Sequence, residues 1–329
     1  MNTIWRLSTM KKRVSLGLSL TLLASSAASA FAAEHHPVQH PKQIKSVEFQ
    51  PMKAPTTIEN MIKTYTEASV KVTYKDGSVE ETPLNYNQLF LSKDKIVDNK
   101  GELIAAGTPI DANGDPIIDR SVPDKPSPYV SDAPDSNSFI TINGKSYIIS
   151  HYEYESVNNA GKEISGLPAS MTLTQVDRDD KTGKLTVNHA KKIDFSNVNG
   201  LWSPCNGSTT DWGTHLGSEE YERDARAFED PSSRSYKDVT NFAKLYFGDT
   251  SKANPYYYGW IPEISVDESG NASVVKHYST GRFSHEMMQV LPDNKTALFG
   301  DDGSNTMMFM YVADKENDFS AGTLYPGKF

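Results

Sequence analysis

The sequence contains one cysteine among 329 residues, and this scarcity excludes several classes of protein. A single cysteine forms no internal disulfide and no zinc cluster made of cysteines alone, so the chain is not a disulfide-stapled scaffold. The phosphate-binding P-loop, the H-E-x-x-H zinc motif and the G-x-S-x-G nucleophile motif are also missing. The chemistry of this chain therefore has to come from less common arrangements of side chains.

Acidic residues are missing from the start of the chain, where none precedes Glu34. A basic cluster at Lys11–Arg13 is followed by an apolar run that is too short and too rich in serine to span a membrane comfortably. This layout predicts a secretory signal over residues 1–33, cleaved after Ala30 or Ala33. We therefore expect a periplasmic or secreted protein.

Basic residues are scarce after residue 33, where 29 lysines and arginines face 42 acidic side chains. Such a chain is a poor partner for the phosphates of nucleic acids, so we predict no nucleic-acid partner. We also predict no membrane span and no obligate protein partner. Carboxylates in this number are oxygen ligands of the kind that calcium prefers, although they also simply keep an exported protein soluble.

Short β-strands separated by turn residues dominate the pattern. Four hairpins are predicted where turn residues interrupt runs of β-forming residues, at Asp76-Gly77, Asn143-Gly144, 180–183 and 268–271. Only residues 223–247 have plausible helical pieces. Two segments rich in proline and polar residues, 34–58 and 98–136, are expected to be exposed, the second as a long surface loop. The pattern predicts an all-β domain with a few short helices, and it leaves a sandwich, a barrel and a propeller open.

Side chains that bind metals concentrate around the single cysteine. Cys205 lies in a loop rich in Trp, Pro and Gly, and Glu219 and Glu220 follow it. A thiolate and carboxylates are ligands that an iron or zinc site shares. The alternative is a buried free cysteine that acts as a small hydrophobic residue.

A second cluster, G-R-F-S-H-E, occupies residues 281–286. Arg282 could clamp a phosphate or a carboxylate, Glu286 could bind a metal, and His285 could bind a metal or move protons. Further along, Asp301-Asp302 is closed by a glycine, which makes either a compact oxygen-donor loop or an ordinary turn.

The motifs SPCNGSTTDWGTHLGSEEYE, YYYGWIPEISVD, GRFSHEMMQVLPDNKTALFGDD and DFSAGTLY occur in this order. In this order they resemble the PhoX family of secreted bacterial alkaline phosphatases, and the resemblance covers most of residues 65–329. It implies a β-propeller with a central site that holds ferric iron and calcium. It also implies hydrolysis of phosphomonoesters, in which adjacent metals neutralise charge and activate an oxygen nucleophile.

The resemblance also implies roles for individual residues. The expected metal ligands are Cys205, Glu220, Glu286, Asp301 and Asp302. Glu219 and His285 are expected to lie behind these ligands and support them. Arg282 is expected to clamp the phosphate of the substrate.

These expectations combine into one hypothesis for the whole chain. Residues 59–329 form a PhoX-like β-propeller domain with a few short helical insertions, and the propeller is incomplete because members of the family continue beyond this point. The protein is a metal-dependent phosphomonoester hydrolase that releases inorganic phosphate from small extracytoplasmic organic phosphates. The alternatives are an inactive propeller fragment that serves as a calcium-binding scaffold, and a related hydrolase that acts on phosphodiesters.

Overall fold

The computed structural model describes residues 42–98 and 100–327, which consist mainly of β-strands with few helices. The predicted secretory signal at residues 1–33 lies outside the described residues. The chain divides into two compact units, Met1–Asn85 and Tyr86–Phe329, so the predicted domain start at residue 59 falls within the first unit. No helix in the described part of the chain is long and apolar enough to cross a membrane.

The first unit contains a three-stranded antiparallel sheet in the order β1-β2-β3. Its elements are β1 (Ile44–Gln50), α1 (Ile58–Met61), β2 (Ser69–Tyr74) and β3 (Val79–Pro83). The predicted hairpin between β2 and β3 is confirmed, and Gly77 takes the positive φ of 84° that its turn requires. The segment 34–58, expected only to be exposed, supplies the mostly exposed strand β1.

The second unit is built from sheets whose strands pair mainly with their neighbours in sequence. Its strands are β4 (Lys95–Val97), β5 (Leu103–Ala105), β6 (Ile118–Asp119), β7 (Ser127–Pro128), β8 (Pro134–Ile142), β9 (Lys145–Tyr152), β10 (Ser170–Arg178), β11 (Leu185–Lys192), β12 (Ser208–Thr209), β13 (His215–Leu216), β14 (Ile261–Val266), β15 (Ala272–His277), β16 (His285–Val290), β17 (Thr296–Asp301), β18 (Met308–Lys315) and β19 (Asp318–Pro326). They form a six-stranded sheet β5-β4-β11-β10-β9-β8, two four-stranded sheets β12-β13-β14-β15 and β16-β17-β18-β19, and the pair β6-β7.

The three hairpins predicted in this unit are confirmed. Asn143 and Gly144 both have positive φ angles, 48° and 77°, which matches the twist of a tight turn between β8 and β9. The turns at 180–183 and 268–271 connect β10 to β11 and β14 to β15. Local turn chemistry therefore predicts these pairings correctly.

The predicted helical stretch contains α2 (Arg234–Phe247). Its N-terminus is capped by the Ser233 side chain, which accepts a hydrogen bond from the Tyr236 N–H, and Gly248 ends it in the left-handed conformation. The buried face of α2 packs an aromatic cluster in which the Phe242 ring stacks on Trp202, with centroids 5.5 Å apart. The helix thereby supports the loop that contains Cys205.

The prediction of a long surface loop over residues 98–136 was wrong. This segment contains three short strands, and Ile104, Ile110 and Ile117 are all buried in it. Proline, glycine and aspartate do mark its turns. The apolar residues between those turns pack into the core, which the composition of the segment conceals.

One core residue makes the stability of the fold depend on pH. Lys192 is 2% exposed, and its amine donates hydrogen bonds to the Ala106 carbonyl and the Ser170 hydroxyl. Burial lowers the pKa of Lys192 well below its usual value. Between that lowered pKa and about 10.5, the unfolded chain binds a proton that the folded chain lacks, so the free energy of unfolding rises with pH.

We therefore predict that Lys192→Met flattens the rise in the free energy of unfolding between neutral and alkaline pH. The measurement is urea unfolding at a series of pH values. The matched control is Lys184→Met, which changes an exposed lysine. It should leave the slope of the free energy of unfolding against pH as it is in wild type. Equal slopes for wild type and Lys192→Met would show that Lys192 does not cause the dependence.

Candidate metal centre

Backbone hydrogen bonds bring four distant segments together at one point of the second unit. The Asn206 N–H donates to the Glu286 carbonyl at 3.1 Å, and the Glu220 N–H donates to the Ser203 carbonyl at 3.0 Å. The Asp302 N–H donates to the Ser284 carbonyl at 2.9 Å. The loop before β12, the loop after β13, the start of β16 and the end of β17 therefore meet.

Three carboxylates converge where these segments meet. One oxygen from each of Glu220, Glu286 and Asp302 lies within 4.8 Å of the others. Glu220 is buried, Asp302 is partly buried and Glu286 is exposed. We call these three residues the carboxylate cluster. The structure thus brings together three of the five residues that the sequence analysis expected to bind metal, and their binding of metal stays a prediction.

The carboxylate cluster is electrostatically unfavourable without a cation. Burial, the neighbouring Glu153 carboxylate and the close Asp302 carboxyl raise the pKa of Glu220 to about 8. Burial and the charges of Asp135 and Glu286 raise the pKa of Glu153 to about 7. In the described part of the chain, no lysine or arginine forms an ion pair with any of these carboxylates. A bound cation would relieve this repulsion.

Cys205 lies beside the cluster. Its half-buried thiol has a raised pKa because it is buried, is hydrogen-bonded to Asp135, and is close to Glu220 and Glu153. Sequence reasoning missed Asp135 and Glu153, which come from β8 and from the residue after β9. The only hint in the sequence was that Glu153 directly follows a predicted strand.

Glu219 points away from its neighbour Glu220. Its buried carboxylate pairs with the Lys276 amine at 2.8 Å, and both side chains are inaccessible to solvent. It also accepts hydrogen bonds from the N–H groups of Trp202, Gly259 and Trp260, at 2.9, 3.1 and 3.2 Å. Glu219 therefore ties the cysteine loop to residues 259–260, just before β14. This fits the expected supporting role, which is still a prediction.

The side chain of Arg282 forms hydrogen bonds with backbone carbonyl groups. Its guanidinium donates to the carbonyls of Tyr258, Arg223 and Pro255 at 2.8 to 3.0 Å, and Glu222 lies 3.9 Å away. In the described residues these carbonyls are its hydrogen-bond partners. This arrangement suits a residue that shapes the loops around the site, and the phosphate-clamp role stays a prediction.

His285 and Asp301 are held close to the site without joining the cluster. His285 is fully buried; its Nε2 donates to the Gly281 carbonyl at 2.9 Å, and burial lowers its pKa to about 4. Asp301 accepts a hydrogen bond from the Ser284 N–H at 3.1 Å. Of the two consecutive aspartates, Asp302 is therefore the one that the structure places among the other carboxylates.

A pair of buried histidines, which the sequence analysis did not identify, supports the cysteine loop. His151 Nδ1 lies 2.6 Å from the Cys205 carbonyl, and His151 Nε2 lies 2.7 Å from His215 Nε2. A carbonyl only accepts, so Nδ1 of His151 carries the hydrogen. Burial lowers the pKa of His151 to about 4, so the ring is neutral and its Nε2 accepts from His215. Two rings from different sheets thus fix the backbone of the cysteine loop.

The backbone at the cluster is strained at two residues that are not glycine. Tyr221 has a φ of 51° and Ser203 a φ of 29°. Tyr221 is held there by its N–H, which donates to the Ser284 hydroxyl at 2.8 Å, and by its own hydroxyl, which donates to Asp302 at 2.5 Å. Strain of this kind persists where the surroundings over-determine it, and it concentrates at functional sites.

The donor atoms fit the metals that the sequence analysis anticipated. Three carboxylates within one ion's reach are hard oxygen ligands suited to calcium, and a thiol next to them adds the soft ligand that iron accepts. The raised pKa values of Glu220 and of Glu153 beside it mark the negative charge that a tightly held cation would neutralise.

Comparison with known proteins supports a relationship for part of the chain. Residues 180–324 match the family model described as alkaline phosphatase PhoX. No curated protein matches the chain.

Several solved structures are similar to this chain at low identity, including one from Pseudomonas fluorescens and one from Bacillus subtilis. Pseudomonas fluorescens PhoX in complex with vanadate, a transition state analogue, is 16% identical with a TM-score of 0.49, covering 73% of this chain and 51% of that chain. A glycoside hydrolase family 43 arabinoxylan arabinofuranohydrolase from Bacillus subtilis is 12% identical with a TM-score of 0.32, covering 80% of this chain and 50% of that one. This chain spans about half the length of the structures it matches.

The matched segment contains Cys205 and the whole carboxylate cluster. The motifs in the sequence and the family model agree on the same family. Over residues 180–324, this chain resembles the PhoX alkaline phosphatases.

Proposed function

We propose that the protein is a metal-dependent phosphomonoester hydrolase of the PhoX type. The observation that carries this proposal is the cluster of Glu220, Glu286 and Asp302 beside the Cys205 thiol, inside the segment that matches the family model. Small organic phosphates are the proposed substrates, and inorganic phosphate is the proposed product.

We assign the metals by the chemistry of the donors. The carboxylate cluster would hold calcium through its oxygens, and Cys205 with Glu220 would hold ferric iron. When bound, these ions supply positive charge for the phosphoryl oxygens and a metal-activated oxygen nucleophile.

The residues of this chain contribute position and charge balance. The His151–His215 pair fixes the carbonyl of Cys205, and Glu219 fixes the loops on either side. The Tyr221 hydroxyl donates to Asp302 and so orients one carboxylate of the cluster. Ligand side chains held this rigidly lose little further entropy when they bind their ion.

The wider expectations remain part of the proposal. Two consecutive four-stranded antiparallel sheets, β12–β15 and β16–β19, are the kind of unit from which propeller blades are made, which supports a propeller in the second unit. The basic and apolar pattern of residues 1–33 supports action outside the cytoplasm.

The experiment that tests the proposal combines elemental analysis with a phosphatase assay. We expect wild type purified with iron and calcium to release phosphate from phosphomonoesters at alkaline pH, and chelation to abolish the release. Cys205→Ser should lose iron and activity and keep calcium, because the hydroxyl is a poor substitute for a thiolate ligand while the carboxylates are intact.

The control for the cysteine variant is Thr209→Ala, a change to a neighbouring exposed side chain that is no metal donor of the proposed site. Iron retained in Cys205→Ser would refute the role given to the thiol. Calcium binding without any phosphatase activity in metal-loaded wild type would refute the enzyme and favour a calcium-binding scaffold.

A further inference from the structure

A cleft of about 590 Å³ adjoins the carboxylate cluster. Its lining includes Ser203 and Tyr221, and both are tied to the cluster. The Ser203 carbonyl accepts from the Glu220 N–H at 3.0 Å, and the Tyr221 hydroxyl donates to Asp302 at 2.5 Å. A phosphoryl group at the cluster would therefore have this cleft beside it for the rest of the ester.

Two half-exposed aromatic rings line this cleft. Tyr154 and Tyr221 are each 49% exposed. The Tyr154 side chain makes no hydrogen bond in the described part of the chain, so its hydroxyl is not occupied by a partner within the fold. An exposed aromatic face is stabilised when a planar ring stacks on it and removes it from water.

The charges in the cleft are largely matched and do not favour a second anionic group. Arg223 and Arg234 both direct Nε at the buried Asp238 carboxylate, at 2.6 and 3.3 Å. Glu155 and Glu163 line the same cleft. Such a mixture of donors and acceptors beside aromatic rings suits a neutral planar group with polar edges.

We propose that this cleft receives the leaving group of the phosphomonoester and selects a planar aromatic one, with Tyr154 as a residue that determines specificity. This inference rests on the proposed function. The aromatic ring belongs to a nucleoside or to an aryl alcohol, and both present the same flat face to Tyr154.

The test compares substrates that differ only in the ring. Adenosine 5′-monophosphate is paired with ribose 5-phosphate, and phenyl phosphate with cyclohexyl phosphate. If the cleft accepts a nucleoside, wild type should prefer adenosine 5′-monophosphate to ribose 5-phosphate. If it accepts an aryl alcohol, wild type should prefer phenyl phosphate to cyclohexyl phosphate. Tyr154→Ala should lower kcat/KM for the preferred aromatic member by about tenfold, mainly through KM, because stacking on one aromatic side chain is of this order. The non-aromatic members should change less than twofold.

The matched control is Tyr86→Ala, which removes an exposed tyrosine outside the cleft and should preserve the preferences. Equal kcat/KM within both pairs for wild type would overturn the inference, as would an equal loss for aromatic and non-aromatic esters in Tyr154→Ala. If metal-loaded wild type cleaves none of the esters, the proposed function fails. The inference is then decided by equilibrium binding of the same compounds: tighter binding of an aromatic member that Tyr154→Ala removes supports it, and equal or no binding overturns it.

Discussion

Glu220→Gln should lower phosphomonoesterase activity by at least about 100-fold, since even residues that only support a metal ligand change affinity or activity by up to that factor. Glu220 is the buried member of the carboxylate cluster and lies next to both Cys205 and Asp302. The amide keeps the shape of the side chain and removes its charge, so the metals lose a ligand while the loop keeps its packing. The measurements are phosphate release and metal content per chain.

The same variant should make the metal-free protein more stable. Burial, the neighbouring Glu153 carboxylate and the close Asp302 carboxyl raise the pKa of Glu220 to about 8, so ionised Glu220 destabilises the folded state. Glu220 therefore contributes a fall in the free energy of unfolding as pH rises from the ordinary glutamate pKa toward 8, and Glu220→Gln should remove this contribution.

The matched control for this variant is Glu268→Gln, which changes an exposed carboxylate in the turn between β14 and β15. Glu268→Gln should have the same activity, metal content and free energy of unfolding as wild type. Full metal content and full activity in Glu220→Gln would contradict the assignment of Glu220 as a ligand.

Lys276→Met should destabilise the fold by about 3–5 kcal/mol, the usual cost of leaving a buried charge without its partner. The Lys276 amine lies 2.8 Å from the Glu219 carboxylate, and it also donates to the Tyr257 carbonyl at 2.9 Å. Both side chains of the pair are inaccessible to water, so no solvent replaces the lost cation. Urea unfolding with a two-state fit measures the loss.

A double-variant cycle separates the ion pair from simple packing. Glu219→Gln removes the buried charge and keeps one acceptor oxygen, which serves either the Trp202 N–H or the N–H groups of Gly259 and Trp260. Glu219→Gln combined with Lys276→Met should therefore be more stable than Lys276→Met alone. If the losses in the free energy of unfolding of the two single variants simply add in the double variant, the two side chains are not coupled. The ion pair then does not hold the loops together.

The sequence predicted those parts of the fold that depend on neighbouring residues. Asn143 and Gly144 adopt positive φ angles that few other residues tolerate. The turn and the two strands that it joins can therefore be predicted from these neighbouring residues alone. Residues 98–136 show the opposite case. Their turns were evident, but the burial of Ile104 and Ile110 depends on packing with residues distant in sequence, namely Tyr152 and Ala190.

The site divides in the same way. Motifs in the sequence predicted five metal ligands, since each stands in a short run of characteristic residues: Cys205, Glu220, Glu286, Asp301 and Asp302. The structure brings the carboxylates of three of them together, those of Glu220, Glu286 and Asp302. Sequence reasoning did not reveal Glu153, because a single carboxylate after a strand is common on protein surfaces.

By itself, the sequence determined the mostly β architecture, the hairpins, the acidic character of the chain and the motifs that resemble the PhoX family. These properties follow from local backbone preferences and from composition. Only the tertiary structure decided that Glu219 turns inward to Lys276 while Glu220 turns to the other carboxylates, and that Arg282 is engaged by three carbonyls. The direction of each of these side chains is set by which partner satisfies its charge, and those partners are brought near by the packing of sheets that are far apart in sequence.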